Sequence, residues 1–442
     1  LAVVILGAGL TACTQDSHVV AGSRVTVAVE APFTSLNPLT IVGGESATNA
    51  EVARLTGTGF GYRDDAGEFV RDPSFGHVEL VEGDLLTARY TIADAVRWSD
   101  GTPIDAADLL LTWAAGSGVL EAGFQAVPDA GLALVTQPPQ FTADRRTTFL
   151  HFDNVFSGWE SALAPTLPAH VVASRALGLP AESEDERMAA KSALIDAVLD
   201  ADAEALDKIA RVWNESFTLP ATPSDLGLLV AAGPYQVDEI DAGGVTLTAN
   251  PSYRGDRAPR IETIEIRTIE DPAAFRALAV SGDVDVVAAA AESALVDALE
   301  RESGMQVTVS PGGELEQLQL MLADSRNRVF ADPRVREAFL HTVPRAELAA
   351  SVDAVLLDSF LVAPSSADYS DIVADVSADY AQPELGVAAA LLTRAGSAGA
   401  EVCVLYDPAD PVRVREFELI RDAAAPAGFR VTDCSTPDWM RM

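Results

Sequence analysis

The sequence predicts an α/β protein of two or three domains, and three observations carry that prediction. The chain has 442 residues, more than a single hydrophobic core organises. Apolar residues make up 48% and charged residues 22%, the composition of a globular rather than a disordered chain. From Asp271 onward helical and strand patterns alternate, whereas Glu51 to Pro165 reads as strands and turns.

In chain order, Leu1–Leu10 is an apolar run too short to span a bilayer, followed by Thr11-Ala12-Cys13. This looks like the apolar region and lipobox of a bacterial lipoprotein signal without its basic start, so the chain is expected to begin inside that signal. Cys13 would then carry lipid, with Thr14–Ser23 a flexible tether. Arg24–Glu30 alternates as a strand, and Ser35-Leu36-Asn37-Pro38 is a turn. Ala88–Ile92 is a short strand. Asp100-Gly101 is a turn dipeptide, since glycine tolerates the positive φ such turns need. Asp105 is the predicted N-cap of a helix, with Asp108 at N3 and Ile104 and Leu109 as a hydrophobic staple. Leu109, Leu110 and Trp113 give that helix its apolar face. Glu182–Ile209 has helical spacing rich in Ala, Asp and Glu, and Val245–Ala249 and Ile261–Ile269 are strands. Phe275–Val280 is helical, Val284–Val287 a strand, and Val335–Leu340 and Leu385–Leu392 are helical. Val402–Tyr406 is a strand, Val412–Ala425 a helix and Arg430–Thr432 a strand. Pro, Ser and Asp cluster from Val362 to Pro383, which predicts a long surface connection.

The net charge is −36, with Lys191 and Lys208 the only lysines, which argues against nucleic acid as a partner. Phosphate-loop, zinc-protease, nucleophile-elbow and dinucleotide motifs are absent, so no enzyme activity and no cofactor are expected. The five histidines (His18, His77, His151, His170, His341) are scattered without ligand spacing, so no metal site is expected. Trp98, Trp159 and Trp213 are expected to pack in cores or interfaces, and aromatics at 6% show no stacking platform for sugars. Three cysteines are too few for a disulfide scaffold. Cys403 and Cys434 fall on strands joined by one helix, hence parallel neighbours. Cys403 is near the start of its strand and Cys434 at the end of the next, an offset that predicts no disulfide between them.

The stretch Val96–Trp113 contains Trp98-Ser99-Asp100-Gly101-Thr102-Pro103, then Ala106 and Asp108. Further on come Gly233-Pro234-Tyr235, Asn250-Pro251-Ser252-Tyr253-Arg254-Gly255 and Ser281-Gly282-Asp283-Val284-Asp285. Phe330-Ala331-Asp332-Pro333-Arg334-Val335-Arg336 and Arg345 follow. In this order they resemble the family 5 extracellular solute-binding proteins, the peptide-, dipeptide- and nickel-binding lipoproteins of ABC importers. The resemblance implies a two-lobe fold of the periplasmic-binding-protein type II kind, with a β-rich domain inserted in the first lobe. On that scheme residues 1–22 are signal and tether, 23–50 and 166–270 lobe I, 51–165 the inserted domain and 271–442 lobe II. Family members continue past the position of Trp439, so the C-terminal part of lobe II is expected to be missing.

The resemblance also implies a site. In peptide-binding members the segment equivalent to Val42, Gly43, Gly44 and Glu45 pairs its backbone with the peptide as an added strand. Glycines there permit close approach and equally suit an ordinary loop. Leu405-Tyr406-Asp407-Pro408-Ala409-Asp410 resembles a segment whose tyrosine and aspartate serve the ligand, the aspartate pairing with its α-amino group. Asp410 equally suits the N-cap of the following helix, with Pro411 at N1. The implied function is capture of peptide between two lobes by a lipid-anchored extracytoplasmic monomer and delivery to an ABC permease. A nickel complex, an oligosaccharide or another small solute are alternatives within the class. A surface sensor or adhesion module on the same fold, or a secreted hydrolase, lies outside it.

Overall fold

The structure, a computed structural model, describes residues 19–439 apart from 65–68, 84–85, 130, 220–225, 270, 272–273, 290–292, 303, 309–315, 323–327, 353, 355, 358–368, 371–379 and 381. Cys13 and most of the predicted connection Val362–Pro383 lie outside the described residues. The chain divides into two compact units, Leu1–Tyr62 with Phe69–Thr308, and Val309–Met442 with Arg63–Glu68.

In the first unit, strand β1 (Val20–Val29) begins four residues before the expected Arg24. Val20 pairs with Ile261 and its amide donates to Arg260 O at 2.9 Å, so the residues just before Arg24 are strand rather than tether. Helix α1 (Ala47–Thr56) follows, then the short pair β2 (Gly61–Arg63) and β3 (Phe69–Arg71). Next come β4 (Gly76–Val81), β5 (Thr87–Ile92), helix α2 (Ala106–Gly116), β6 (Gln140–Phe141) and β7 (Thr147–His151). The four strands form an antiparallel sheet of order β4-β5-β7-β6. Alternation puts Ala88, Tyr90 and Ile92 on its buried face, where α2 packs. The capping box at Asp105 and Asp108 is formed as predicted, but α2 is buried from Ala106 to Ala115 rather than along one face.

Helices α3 (Ala169–Leu177) and α4 (Glu184–Leu199) pack on α2, and α5 (Ala203–Arg211) packs on α3 and α4. One hydrophobic cluster runs from Phe60 through Trp113 and Leu163 to Leu167, Leu194 and Trp213. Residues on both sides of Pro165, the expected domain boundary, therefore share a core. The chain then forms a meander of β8 (Tyr235–Asp241), β9 (Gly244–Ala249) and β10 (Ile261–Thr268). Helix α6 (Ala274–Ser281), β11 (Val286–Ala288) and α7 (Ser293–Glu300) complete the unit. Its second sheet has the order β11-β1-β10-β9-β8, with β1 parallel to both β10 and β11. β11 pairs with β1, and the break between the two compact units falls after Thr308.

In the second unit, α8 (Pro333–Leu340), α9 (Arg345–Ser351) and α10 (Leu385–Ala395) precede β12 (Glu401–Val404), α11 (Pro411–Ala424) and β13 (Arg430–Asp433). Phe339, Leu392, Val402, Phe417 and Phe429 are among the residues of its core. β12 and β13 are parallel neighbours, as the single connecting helix requires. Their cysteines are nevertheless bonded, against the sequence-based expectation: Cys403 and Cys434 form a disulfide with Cα atoms 5.7 Å apart. The register sets Cys403 opposite Thr432, only two residues from Cys434. β13 ends at Asp433, whose carboxylate accepts from Ser435 N at 2.8 Å, so the chain turns at Cys434 instead of extending past reach.

Candidate functional site

The residues that carry the sequence motifs are occupied with holding the fold. Lys191 is fully buried on α4, its Nζ 2.5 Å from Asp108 Oδ2, 3.1 Å from Asp105 Oδ1 and 2.6 Å from Pro103 O. Asp108 Oδ1 accepts from Trp98 Nε1 at 3.2 Å and from Ala169 N at 2.9 Å, and Oδ2 from Asp105 N at 2.9 Å. Burial pushes the Asp105 carboxyl up, Lys191 pulls it back and Asp108 pushes it up again. His170 Nε2 lies 2.8 Å from Asp100 Oδ2. Burial works to raise the Asp100 carboxyl, but the bond to His170, its charge and the Thr102 amide outweigh it and hold the group well below the usual carboxylate range. Gly101 has φ +86°, the turn geometry the dipeptide predicts.

The later motifs behave alike. Asn250 Nδ2 donates to Gly233 O at 2.9 Å, tying the second motif to the first, and a Cβ on Gly233 would sit 2.4 Å from Gly57 O. Thr26 N donates to Asp285 Oδ2 at 2.8 Å, and Asp285 N to Thr26 O at 2.9 Å, so the last aspartate of Ser281–Asp285 fastens β1. Asp332 caps α8 through Arg334 N at 2.9 Å, and Arg336 Nη1 donates to Phe330 O at 2.7 Å. Apart from the Asp105–Asp108 capping box, none of these pairings was legible as a contact in the sequence. A lysine in a chain with only two was the one compositional hint.

The segments implied to meet a solute lie one in each unit. Gly43–Glu45 is a 3₁₀ turn, not an extended edge. Gly43 N donates to Thr40 Oγ1 at 2.8 Å, Gly44 N to Thr40 O at 2.8 Å and Glu45 N to Val42 O at 3.3 Å. A Cβ at Gly43 would lie 2.0 Å from Asn37 O, so this glycine is explained by packing. Val42, Gly44 and Glu45 are exposed, and Gly43 is buried.

In the second unit Tyr406 is buried against Phe417, with its hydroxyl 3.2 Å from Asp433 Oδ2. Thr436 N donates to Tyr406 O at 3.1 Å and Cys434 N to Val404 O at 3.0 Å. With the disulfide, these bonds join the loops that leave the carboxyl ends of β12 and β13. Asp410 is the N-cap of α11: its Oδ1 accepts from Val412 N at 2.8 Å, with Pro411 at N1. Its Oδ2 lies 3.8 Å from Arg413 Nε, and the side chain is 40% exposed. Arg413 also donates to Glu416 Oε2 at 2.9 Å and to Glu316. Burial, then the neighbouring Glu416, pushes the Glu316 carboxyl up to about 7 against the pull of Arg413. Trp98 and Trp213 are buried, as expected for core packing. Among the described residues no group of three or more His, Cys, Asp or Glu is arranged to hold a metal, and no helix is long and apolar enough to cross a membrane.

The motif residues thus fasten one another within an α/β fold. The sequence pattern of the bacterial extracellular solute-binding proteins, family 5, matches residues 79–441, and the chain belongs to that family. Its relatives include uncharacterized lipoproteins of Mycobacterium bovis and Mycobacterium tuberculosis. Each is 30% identical over 439 residues, covering 98% of this chain and 73% of the relative. Among solved structures, a periplasmic EDTA-binding protein superposes with TM-score 0.61 at 20% identity, covering 95% of this chain and 74% of the other. The oligopeptide-binding protein of Bacillus subtilis with a bound nonapeptide gives 0.57 at 15% identity, covering 95% and 75%. That of Thermus thermophilus with a pentapeptide gives 0.55 at 16%, covering 94% and 72%. The fold is thus that of the solute-binding proteins of ABC transporters, extracytoplasmic receptors and not enzymes as a family.

Proposed function

We propose that this protein captures peptides outside the cytoplasm as a monomer lipid-anchored through Cys13, and delivers them to a membrane permease. The family match over residues 79–441 carries the reading, supported by the peptide complexes among the fold's neighbours. Peptide would lie between two lobes and stabilise their closed form. Val42, Gly43, Gly44 and Glu45 would meet it from one lobe, Tyr406 and Asp410 from the other. Since the Gly43–Glu45 amides are engaged, contact there would run through carbonyls and side chains. Asp410 Oδ2, with Arg413 beyond hydrogen-bond distance, would receive the peptide's α-amino group.

Native mass spectrometry of solute retained by the full-length protein tests the class directly, and a co-purified series of short peptides is the expected result. Asp410→Asn keeps a good cap and removes the charge, so thermal stability should stay put while peptide affinity falls by about 1.5–3 kcal/mol. N-acetylated peptides should bind weakly and be insensitive to the substitution. Equal affinity of both proteins for free peptides would leave Asp410 a cap alone. Recovery of a metal chelate instead would favour the second reading, a small-chelate receptor, which the likeness to the EDTA-binding protein supports.

A further inference from the structure

The Val42–Glu45 turn is shaped by one hydroxyl and two buried amide side chains. Thr40, 2% exposed, accepts from Gly43 N at 2.8 Å, and its hydroxyl donates to Asn37 O at 3.2 Å. Asn37, 1% exposed, donates through Nδ2 to Trp213 O at 3.0 Å and accepts at Oδ1 from Leu39 N at 3.2 Å. Trp213 lies in a π turn over Val212–Ser216, a rare winding that departs from the α ladder. From the same turn Asn214 accepts from Gln125 N and donates to Gly123 O, both at 2.9 Å, and Gln125 O in turn accepts from Ile41 N at 2.9 Å. On the other side Asn49, fully buried on α1, donates to Gly43 O at 2.8 Å.

With the amides of Gly43, Gly44 and Glu45 all donating internally, the turn has none of them left for a ligand. Its exposed side carries Val42, Gly44 and the carboxylate of Glu45, an acceptor with no donor among the described residues. An acceptor surface selects donors, and a carboxylate selects cationic donors most strongly. We propose that Thr40 and Asn37 are positioning residues for this turn and that Glu45 is specificity-determining, taking the cationic side chain of a bound peptide. The inference rests on the reading that the turn faces a peptide.

The test pairs amide hydrogen exchange with calorimetry on the full-length protein, using Ala-Lys-Ala and its Nε-acetyl-lysine counterpart as probes. Thr40→Val should speed exchange at Gly43 by about 5- to 100-fold, the cost of stranding one buried donor. Exchange in α1 and β8–β10 should keep its rate, and Thr40→Ser should stay within about twofold of wild type at Gly43. Wild type should bind the lysine peptide about tenfold more tightly than the acetylated one. Glu45→Gln should bring the two within about twofold, and Thr40→Val should lose most of the preference while remaining folded. Unchanged exchange at Gly43 in Thr40→Val would overturn the positioning role. A lysine preference that survives Glu45→Gln would overturn the specificity role. If wild type binds neither peptide, the peptide reading and the specificity role fall together, while the exchange result still decides what positions the turn.

Discussion

Lys191 and Asp108 show how much a single buried pair commands here. Two carboxylates share one ammonium beneath the Trp98–Pro103 turn; an indole and two backbone amides donate to Asp108, and Pro103 O accepts from the ammonium. Replacing such a pair by apolar groups can be harmless, but removing one partner strands the other charge. Lys191→Met is therefore expected to cost about 3–5 kcal/mol, read as a shifted urea midpoint at unchanged slope. A cost below about 1 kcal/mol would mean that water reaches the ammonium. Asp100 makes a pH prediction. Its carboxyl is held low in the folded protein, so its contribution to stability is present above the unfolded value of about 4 and is lost as pH falls through the folded one. Urea midpoints should fall less steeply below about pH 4 in Asp100→Asn than in wild type.

Among the elements, the β12–α11–β13 unit is the one that sequence reasoning placed well and wired wrongly. The strands, their parallel pairing and the Asp410 cap all follow from periodicity, one connecting helix and Pro at N1. The disulfide does not, because it depends on the register that sets Cys403 opposite Thr432 and on the turn that follows Asp433. With the cysteines 31 positions apart, the double substitution Cys403→Ser with Cys434→Ser should lower stability by about 2–4 kcal/mol. Mass mapping under non-reducing conditions should find the two cysteine peptides joined. Two free thiols in the exported protein would refute the pairing.

For the whole molecule, the chain spans about three-quarters of the length of the relatives it matches, 73% of the mycobacterial lipoproteins and 74% of the EDTA-binding protein. Cys13 carries the proposed anchor, and the full-length protein with its complete signal should partition with membranes. Cys13→Ala should release it, and a variant that stays lipid-labelled would place the anchor elsewhere. Saturating solute should raise thermal stability by mass action, about 2.7 kcal/mol at a hundredfold excess over Kd.

By itself the amino-acid sequence determined the family and the α/β class, because ordered motifs and helix and strand periodicities survive without coordinates. It also determined the capping box at Asp105 and the cap at Asp410, since caps are local and need only a few neighbouring residues. Tertiary structure alone decided what the motif residues touch. Lys191 reaches back 83 residues to Asp108, His170 reaches 70 to Asp100, and Thr26 spans 259 to Asp285, distances at which one sequence without its fold carries no contact signal. It decided too that Val42–Glu45 is a closed turn rather than a strand edge. That outcome rests on a threonine hydroxyl and two buried asparagines, whose bonding partners are brought near only by folding.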